Sequence, residues 1–454
     1  MVTMLLKKNC WTALLTALLL TIAAGAGAEE ATQASGSEAA EPTEASEAAT
    51  DERVDQLEET VQIVIEELDS LRKVFAVPEE GGLQSYSGLG PAASKVYMRD
   101  RGLSIGGYAE VRFRGEVADK ADDGKNIFDA LRTVLYTGYK FNDWIVANTE
   151  LEFEHAGTGG GGSVSVEMMT LDLLFTEYFN ARAGLLLLPM GFINEIHEPV
   201  FFFGNERPEV ERRLIPSTWR ENGAGFYGSL FDDRVQYRMY GVNGFDASGF
   251  SDNGFRGGRQ RGSEALADHF AFVGRVDVEP LDGVQVGGSV YYGYSGQNQT
   301  VAPSNGVPGG DVPNAATTIW EVHGQVKRAG AHIRGLYSQT FLEDSVALSA
   351  VVGDVVARRM NGGYIEFAYD VLPLFYPDSE MAVEPFYRYE RVNTQQAVRS
   401  AAGPANPDRD QRFHVVGIQY KPHPQVVLKL DYRNIDSAGA ELPDDVQVGF
   451  GFVF

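Results

Sequence analysis

The stretch Val446-Gln447-Val448-Gly449-Phe450-Gly451-Phe452-Val453-Phe454 decides the fold class. Val446, Val448, Phe450, Phe452 and Phe454 share one face of an extended chain, with Gln447, Gly449, Gly451 and Val453 on the other. Successive side chains of a strand point to opposite sides, so the pattern has a period of two. One face suits lipid and the other water. The same alternation sets Leu103, Ile105, Gly107, Ala109, Val111 and Phe113 against Ser104, Gly106, Tyr108, Glu110, Arg112 and Arg114.

Segments of this kind recur at 102–114, 128–141, 144–155, 163–176, 179–188, 222–231, 233–244 and 267–279. They continue at 283–295, 316–327, 331–343, 358–371, 381–392, 411–421, 425–435 and 444–454. The number is even, as a closed single-chain barrel of this type requires, and shorter and longer connections alternate between the segments. A soluble sandwich also alternates in hydrophobicity, but nothing in it makes every second connection tight. The expected fold class is an all-β membrane protein: a 16-stranded antiparallel transmembrane β-barrel over 102–454, with its N-terminus and short turns on the periplasmic side.

Upstream, Lys7 and Lys8, the run Trp11 to Ala24 and Ala26-Gly27-Ala28 have the layout of a secretory signal peptide over 1–28. Residues 29–53, mostly Ala, Ser, Thr and Glu, are expected to be a disordered acidic tether. Val54, Leu57, Val61, Val64, Leu68, Leu71 and Phe75 then recur at steps of three and four, predicting a short coiled-coil helix over 54–77 that favours self-association. Pro78 and the Gly81–Gly90 stretch predict a linker over 78–101. The chain carries 38 Lys+Arg against 63 Asp+Glu, a net charge of −25, which argues against a nucleic-acid partner. Of this charge, residues 29–80 hold 16 acids and 3 bases.

A barrel of this size is too wide for side chains to fill and is expected to enclose water. Positions expected on the pore wall include Arg112, Arg132, Arg234, Arg238 and Arg334 with Glu150, Glu152 and Glu154, and inward acids and bases nearly balance. Glu150, Glu152 and Glu154 form an acidic stripe, while Arg234 and Arg238 fall on a segment without inward acids, an arrangement that predicts a transverse field. The longest connection, 189–221, carries Phe201-Phe202-Phe203 and is expected to fold inward as a constriction loop. Its Glu206, Glu209, Glu211, Arg207, Arg212, Arg213 and Arg220 would ring the narrowing. Arg212, Arg213 and Arg220 could then coordinate an anion through forked hydrogen bonds. Pairing with the loop's own glutamates would instead brace the loop against the wall.

The stretches Gly184-Leu185-Leu186-Leu187-Leu188-Pro189-Met190-Gly191-Phe192, Glu211-Arg212 and Arg220-Glu221-Asn222-Gly223-Ala224-Gly225-Phe226-Tyr227-Gly228 resemble the phosphate-selective porin O/P family. Leu187 and Leu188 depart from it, standing where a basic residue is common. The resemblance implies a sixteen-stranded, trimeric outer-membrane porin of a Gram-negative cell, often preceded by a periplasmic coiled coil. Phe450, Phe452 and Phe454 resemble the C-terminal assembly signal of such barrels, which implies outer-membrane lipid and the barrel-assembly machinery as partners.

The function expected is passive diffusion of small hydrophilic solutes or ions. An anion or phosphate channel and a cell-envelope tether anchored by a barrel are the alternatives. Catalysis, cofactor and metal are not expected. Gly102-Leu103-Ser104-Ile105-Gly106 opens a strand rather than a nucleophile elbow. Gly157, Gly159 and Gly162 lie in a loop that is nearly all glycine. The seven His are scattered, with no pair at helical metal-ligand spacing.

Overall fold

A computed structural model describes residues 53, 56–66, 83–118, 124–304 and 306–454. The expected signal peptide and nearly all of the acidic tether lie outside the described residues. Within the expected coiled coil, residues 56–66 are helical, and Leu57, Val61 and Val64 of the seam are exposed.

Sixteen strands close into one antiparallel barrel. They are β1 (Gly102–Ala118), β2 (Ile127–Asn142), β3 (Ile145–Glu154), β4 (Ser163–Leu174), β5 (Asn180–Leu187), β6 (Arg220–Leu230), β7 (Val235–Asn243), β8 (Phe270–Leu281) and β9 (Val284–Tyr294). After an outer hairpin of β10 (Thr300–Val301) and β11 (Gly310–Asp311) come β12 (Ala316–Arg328), β13 (Ala331–Leu342), β14 (Arg359–Tyr369), β15 (Ala382–Ala397), β16 (Asp410–His423), β17 (Val426–Ser437) and β18 (Asp444–Val453). Each strand pairs with its neighbours in chain order, skipping the hairpin, and β1 pairs with β18 to remove the last free edges. Phe454 completes the seam, exchanging backbone hydrogen bonds of 2.8 and 2.9 Å with Gly107.

Burial in the wall is inverted relative to a soluble sheet. On β17, Leu428 and Leu430 are 45% and 48% exposed, whereas Lys429 and Asp431, alternating with them, are buried. On β18, Val448, Phe450 and Phe452 face outward while Gln447 is buried. Such a surface needs an apolar solvent outside, and the polar groups it hides must find partners inside. Exposed Tyr139, Phe141, Trp144, Phe175 and Tyr178 ring the short-turn rim, and Tyr292 and Tyr294 lie toward the other. Among the described residues no helix is long and apolar enough to cross a membrane.

The expected strand positions differ from the observed ones mainly at the ends. β1 and β15 run further, to Ala118 and Ala397, and β8 begins at Phe270. Two readings need correction. Arg234 falls in the short turn before β7, half-exposed and 2.8 Å from Asp282, instead of on the pore wall. The segment expected as a linker is, over 83–101, packed inside the barrel.

Candidate functional site

Two segments enter the lumen. The first contains a helical turn at Pro91–Ser94 and a 3-10 turn at Lys95–Met98. Leu89, Ala92, Ala93, Val96 and Tyr97 are buried against Tyr108, Val134, Tyr136, Val146, Met168, Val427 and Val453 of the wall. Small wall residues admit it. A Cβ added at Gly106 would stand 2.6 Å from the Ala92 carbonyl oxygen, and one at Gly138 2.6 Å from Val96 Cβ. Polar contacts add to this: Asn148 Nδ2 donates to Ala93 O at 2.8 Å, Tyr97 Oη donates to Asp172 at 2.8 Å and accepts from Arg182 Nη2 at 3.3 Å, and Ala92 N donates to Glu198 Oε1 of the third loop at 3.0 Å.

The second is the third outer loop, 188–219, between β5 and β6. The register of β4 with β5 stops at Met169↔Leu185, because the chain beyond Leu187 turns into the lumen. Leu186, Leu188 and Met190 are therefore all buried, which explains an apolar run without alternation. Asn194 pins the loop's two ends together: its Nδ2 donates to Leu188 O and Trp219 O, and its Oδ1 accepts from Trp219 N. Trp219, fully buried, stacks on Phe245 at 4.4 Å.

From there the loop crosses the barrel, and charged wall residues bind its backbone. Arg275 donates to Gly191 O, and Arg388 to Phe203 O and Glu206 O at 3.1 Å each. Lys429 donates to Phe202 O at 2.9 Å and Gly204 O at 2.8 Å, with its Nζ 3.7 Å from the Phe202 ring centre. Glu390 accepts from Val210 N at 2.8 Å, and Asp431 accepts from Asn205 N at 2.8 Å. Buried charges are tolerated because each has a partner.

The residues expected at the constriction do lie in or beside this loop, but most are committed to internal pairs. Glu206 meets Arg112 at 2.6 Å. Burial alone would raise its carboxyl, yet Arg112 and Arg433 outweigh that and hold it down at about 2. Glu209 accepts from both Arg212 and Arg213. Glu211 is buried, pushed up by burial, and accepts from Tyr364 Oη at 2.6 Å and Ile193 N at 2.7 Å. Arg220 opens β6 and is held by Glu167 at 2.8 Å and Ser165 at 3.0 Å, so it does not join Arg212 and Arg213 as a free anion ligand. Arg212, with a side chain 46% exposed, is the open cation of that trio. Arg207 donates to His197 O at 3.4 Å.

The wall residues are paired too. Arg132 lies 2.7 Å from Glu110 and 3.5 Å from Glu152. Glu150 is buried beside His197, and Glu154 accepts from Ser163 Oγ at 3.1 Å. Arg238 binds Glu195 at 2.7 Å and Asp277, and Arg334 binds Glu366 at 2.7 Å. The transverse field expected from Arg234 and Arg238 facing an acidic stripe is thereby reduced, since Arg238 is neutralised locally and Arg234 stands at the rim.

Residues missed by sequence reasoning are Arg256 and Arg259, in the outer loop between β7 and β8. Arg259 Nη1 donates to Pro216 O and Thr218 O, and Arg256 to Arg212 O and Ser217 O. Burial and neighbouring guanidiniums press both below the usual arginine range, as befits cations with carbonyls for partners. With Arg220, Arg261, Glu152 and Glu154 they line a cavity of about 570 Å³ on the long-loop side. On the short-turn side, a cavity of about 490 Å³ is bounded by Phe201, Phe202, Phe203, Lys327, His332 and Lys421. Loop and N-terminal segment thus divide the wide bore into smaller polar compartments.

A closed sixteen-strand barrel with an outward apolar band, a charged lumen and an infolded third loop has the porin fold. The chain belongs to the same family as an uncharacterized protein of Aquifex aeolicus (strain VF5), 36% identical over 385 residues that cover 81% of this chain and 83% of that one. Among solved structures it is similar to Salmonella typhi OmpF in complex with daunomycin (TM-score 0.51, 15% identity, covering 78% of this chain and 98% of that one). It is likewise similar to a loop L8 deletion mutant of OmpT, an outer membrane protein of Vibrio cholerae (TM-score 0.50, 12% identity, covering 78% and 100%). No protein-family model matches the chain.

Proposed function

We propose that the protein is an outer-membrane porin that passes small hydrophilic solutes by passive diffusion, without catalysis. It is inserted by its C-terminal strand and assembled as a homotrimer, with its N-terminal segment periplasmic. The observation that carries this reading is the inverted wall: lipid-compatible side chains outside and paired charges around polar cavities inside. With two inserted segments, the path is narrower than a sixteen-strand bore alone would leave. Refolded protein in a planar bilayer is expected to give small ohmic steps; a folded, inserted barrel that carries no current rejects the channel reading.

A second reading, weak anion preference including phosphate, is favoured by the arginines of the outer cavity and by the resemblance to the phosphate-selective family. Arg212, Arg256 and Arg259 lie close together, and the latter two contact backbone carbonyls instead of carboxylates. Replacing Arg212 and Arg256 with Ala is expected to move the reversal potential in a KCl gradient toward cation preference. An unchanged potential leaves the general channel.

A further inference from the structure

Where the third loop meets β3 and β4, the chemistry differs from the rest of its anchorage. His197 of the loop, Glu150 of β3 and Glu167 of β4 are fully buried, and each turns one potential ligand atom toward the others, all within 4.8 Å. His197 Nε2 lies 3.2 Å from Glu150 Oε1 and 3.5 Å from Glu167 Oε2. Both separations exceed the roughly 2.7–2.9 Å of a charge-assisted hydrogen bond. They bracket the edge, about 3.3–3.4 Å, of a tetrahedron whose metal–ligand bonds are ~2.0–2.1 Å.

A second observation points the same way. Glu150 Oε2 and Glu167 Oε2 are buried and have no hydrogen-bond partner, and neither has Tyr108 Oη, whose ring lies 5.9 Å from that of His197. A single ring N–H cannot satisfy two carboxylates, and buried oxygens without partners are costly. His197 and Glu167 are also held from behind, and Glu150 is held at its site-facing oxygen. His197 Nδ1 faces Asn194 O at 3.2 Å, Arg220 Nη1 donates to Glu167 Oε1 at 2.8 Å, and Tyr136 Oη donates to Glu150 Oε1 at 3.0 Å. Metal ligands are oriented by outer partners of this kind.

We propose that His197, Glu150 and Glu167 form a binding site for one divalent transition-metal ion of the zinc type, tying the third loop to β3 and β4. One imidazole nitrogen and two carboxylate oxygens suit such an ion, with the fourth position left to water. Calcium and magnesium, which take six or more oxygen ligands, suit it poorly. Two carboxylates supply the charge the ion needs, and the desolvated setting rewards its binding. Helical spacing could not reveal this set, because its members come from two strands and a loop.

The test uses the full-length refolded protein, stripped with EDTA, dialysed against micromolar Zn²⁺, desalted and counted by elemental mass spectrometry. About one zinc per chain is expected to remain, and Mg²⁺ in place of Zn²⁺ is expected not to be retained. His197→Gln and Glu167→Gln should each lower zinc retention by roughly tenfold or more, with folding checked by heat-modifiable mobility. Should either variant misfold, the wild-type protein decides alone: Zn²⁺ should raise its unfolding temperature relative to EDTA. Folded wild-type protein that keeps no zinc, or a folded His197→Gln variant that keeps as much as wild type, overturns the proposal in favour of an imidazolium bridging two carboxylates. Zinc retention is read without any current, so this outcome and that of the channel experiment are independent.

Discussion

The two segments inside the barrel both bury apolar side chains, but only one of them is also tied down by many wall charges. Residues 83–101 dock through apolar contact, with Val96 and Ala92 lying against glycines of the wall. The third loop buries apolar side chains too, Met190, Val210, Leu214, Ile215 and Trp219 among them, but adds polar anchors, with Arg275, Arg388 and Lys429 reaching from the wall to its carbonyls. Wall composition follows the difference. Around the first segment the wall offers Gly106, Tyr108, Tyr136, Gly138 and Val146, while around the middle of the loop it offers Arg334, Glu366, Arg388, Glu390 and Lys429 beside buried Tyr364 and Phe386. A lumen position therefore declares what covers it: a charge either faces water or finds a backbone group, and a small or apolar residue calls for a packed neighbour.

The comparison can be broken at four points. The largest effect is expected from Arg388→Ala. It strips hydrogen bonds from two carbonyls of the loop and an ion-pair partner from Glu366, a loss of about 3–5 kcal/mol for a buried charge network. Limited proteolysis should cut the loop near Phe203 and channel noise should rise; a loop as protected as in wild type would mean that the wall charges do not hold it. Next comes Gly138→Val, which overpacks Val96 at a cost of about 1–3 kcal/mol. Hydrogen exchange should quicken across 92–97 and, through the Ala92 N to Glu198 contact of 3.0 Å, no further into the loop than the neighbourhood of Glu198; loosening at Phe203 as well would refute separate anchorage by the wall charges.

A smaller, reversible effect should come from acid. Glu206 is held at about 2, below its ordinary 4.5, so the stability it contributes is full above about 4.5 and is lost as the pH falls toward 2. Conductance should become noisier across that window, and Glu206→Gln should remove the transition; a pH profile shared by wild type and variant would exclude this contact. The smallest effect on the lumen is expected from deleting 54–77. The oligomer should weaken in mass photometry while single-channel conductance holds, and an unaffected oligomer would assign its stability to the barrel walls.

Much of the barrel was legible because its signal is local. A period of two within ten residues marks β17 and β18 wherever they sit, and the ban on unpaired backbone in lipid forces the sheet to close. The infolded loop was legible from its length and its three phenylalanines. Its anchoring was not, since Arg388 meets Phe203 and Lys429 meets Phe202 across 185 and 227 residues of sequence. The packed N-terminal segment leaves only a weak mark on the sequence, since Tyr108, Tyr136 and Gly138, which it covers, are spread over two strands.

The alternation, the number of strands, the long third loop and the stock of interior charges are all written locally in the chain. Tertiary structure alone decided which charges remain open. Arg220, Arg238 and Arg388 are spent on Glu167, Asp277 and the loop backbone, whereas Arg212 stays exposed. The physical reason is that burying a charge costs several kcal/mol unless a partner stands within hydrogen-bond reach. Only barrel closure and loop insertion bring those partners together.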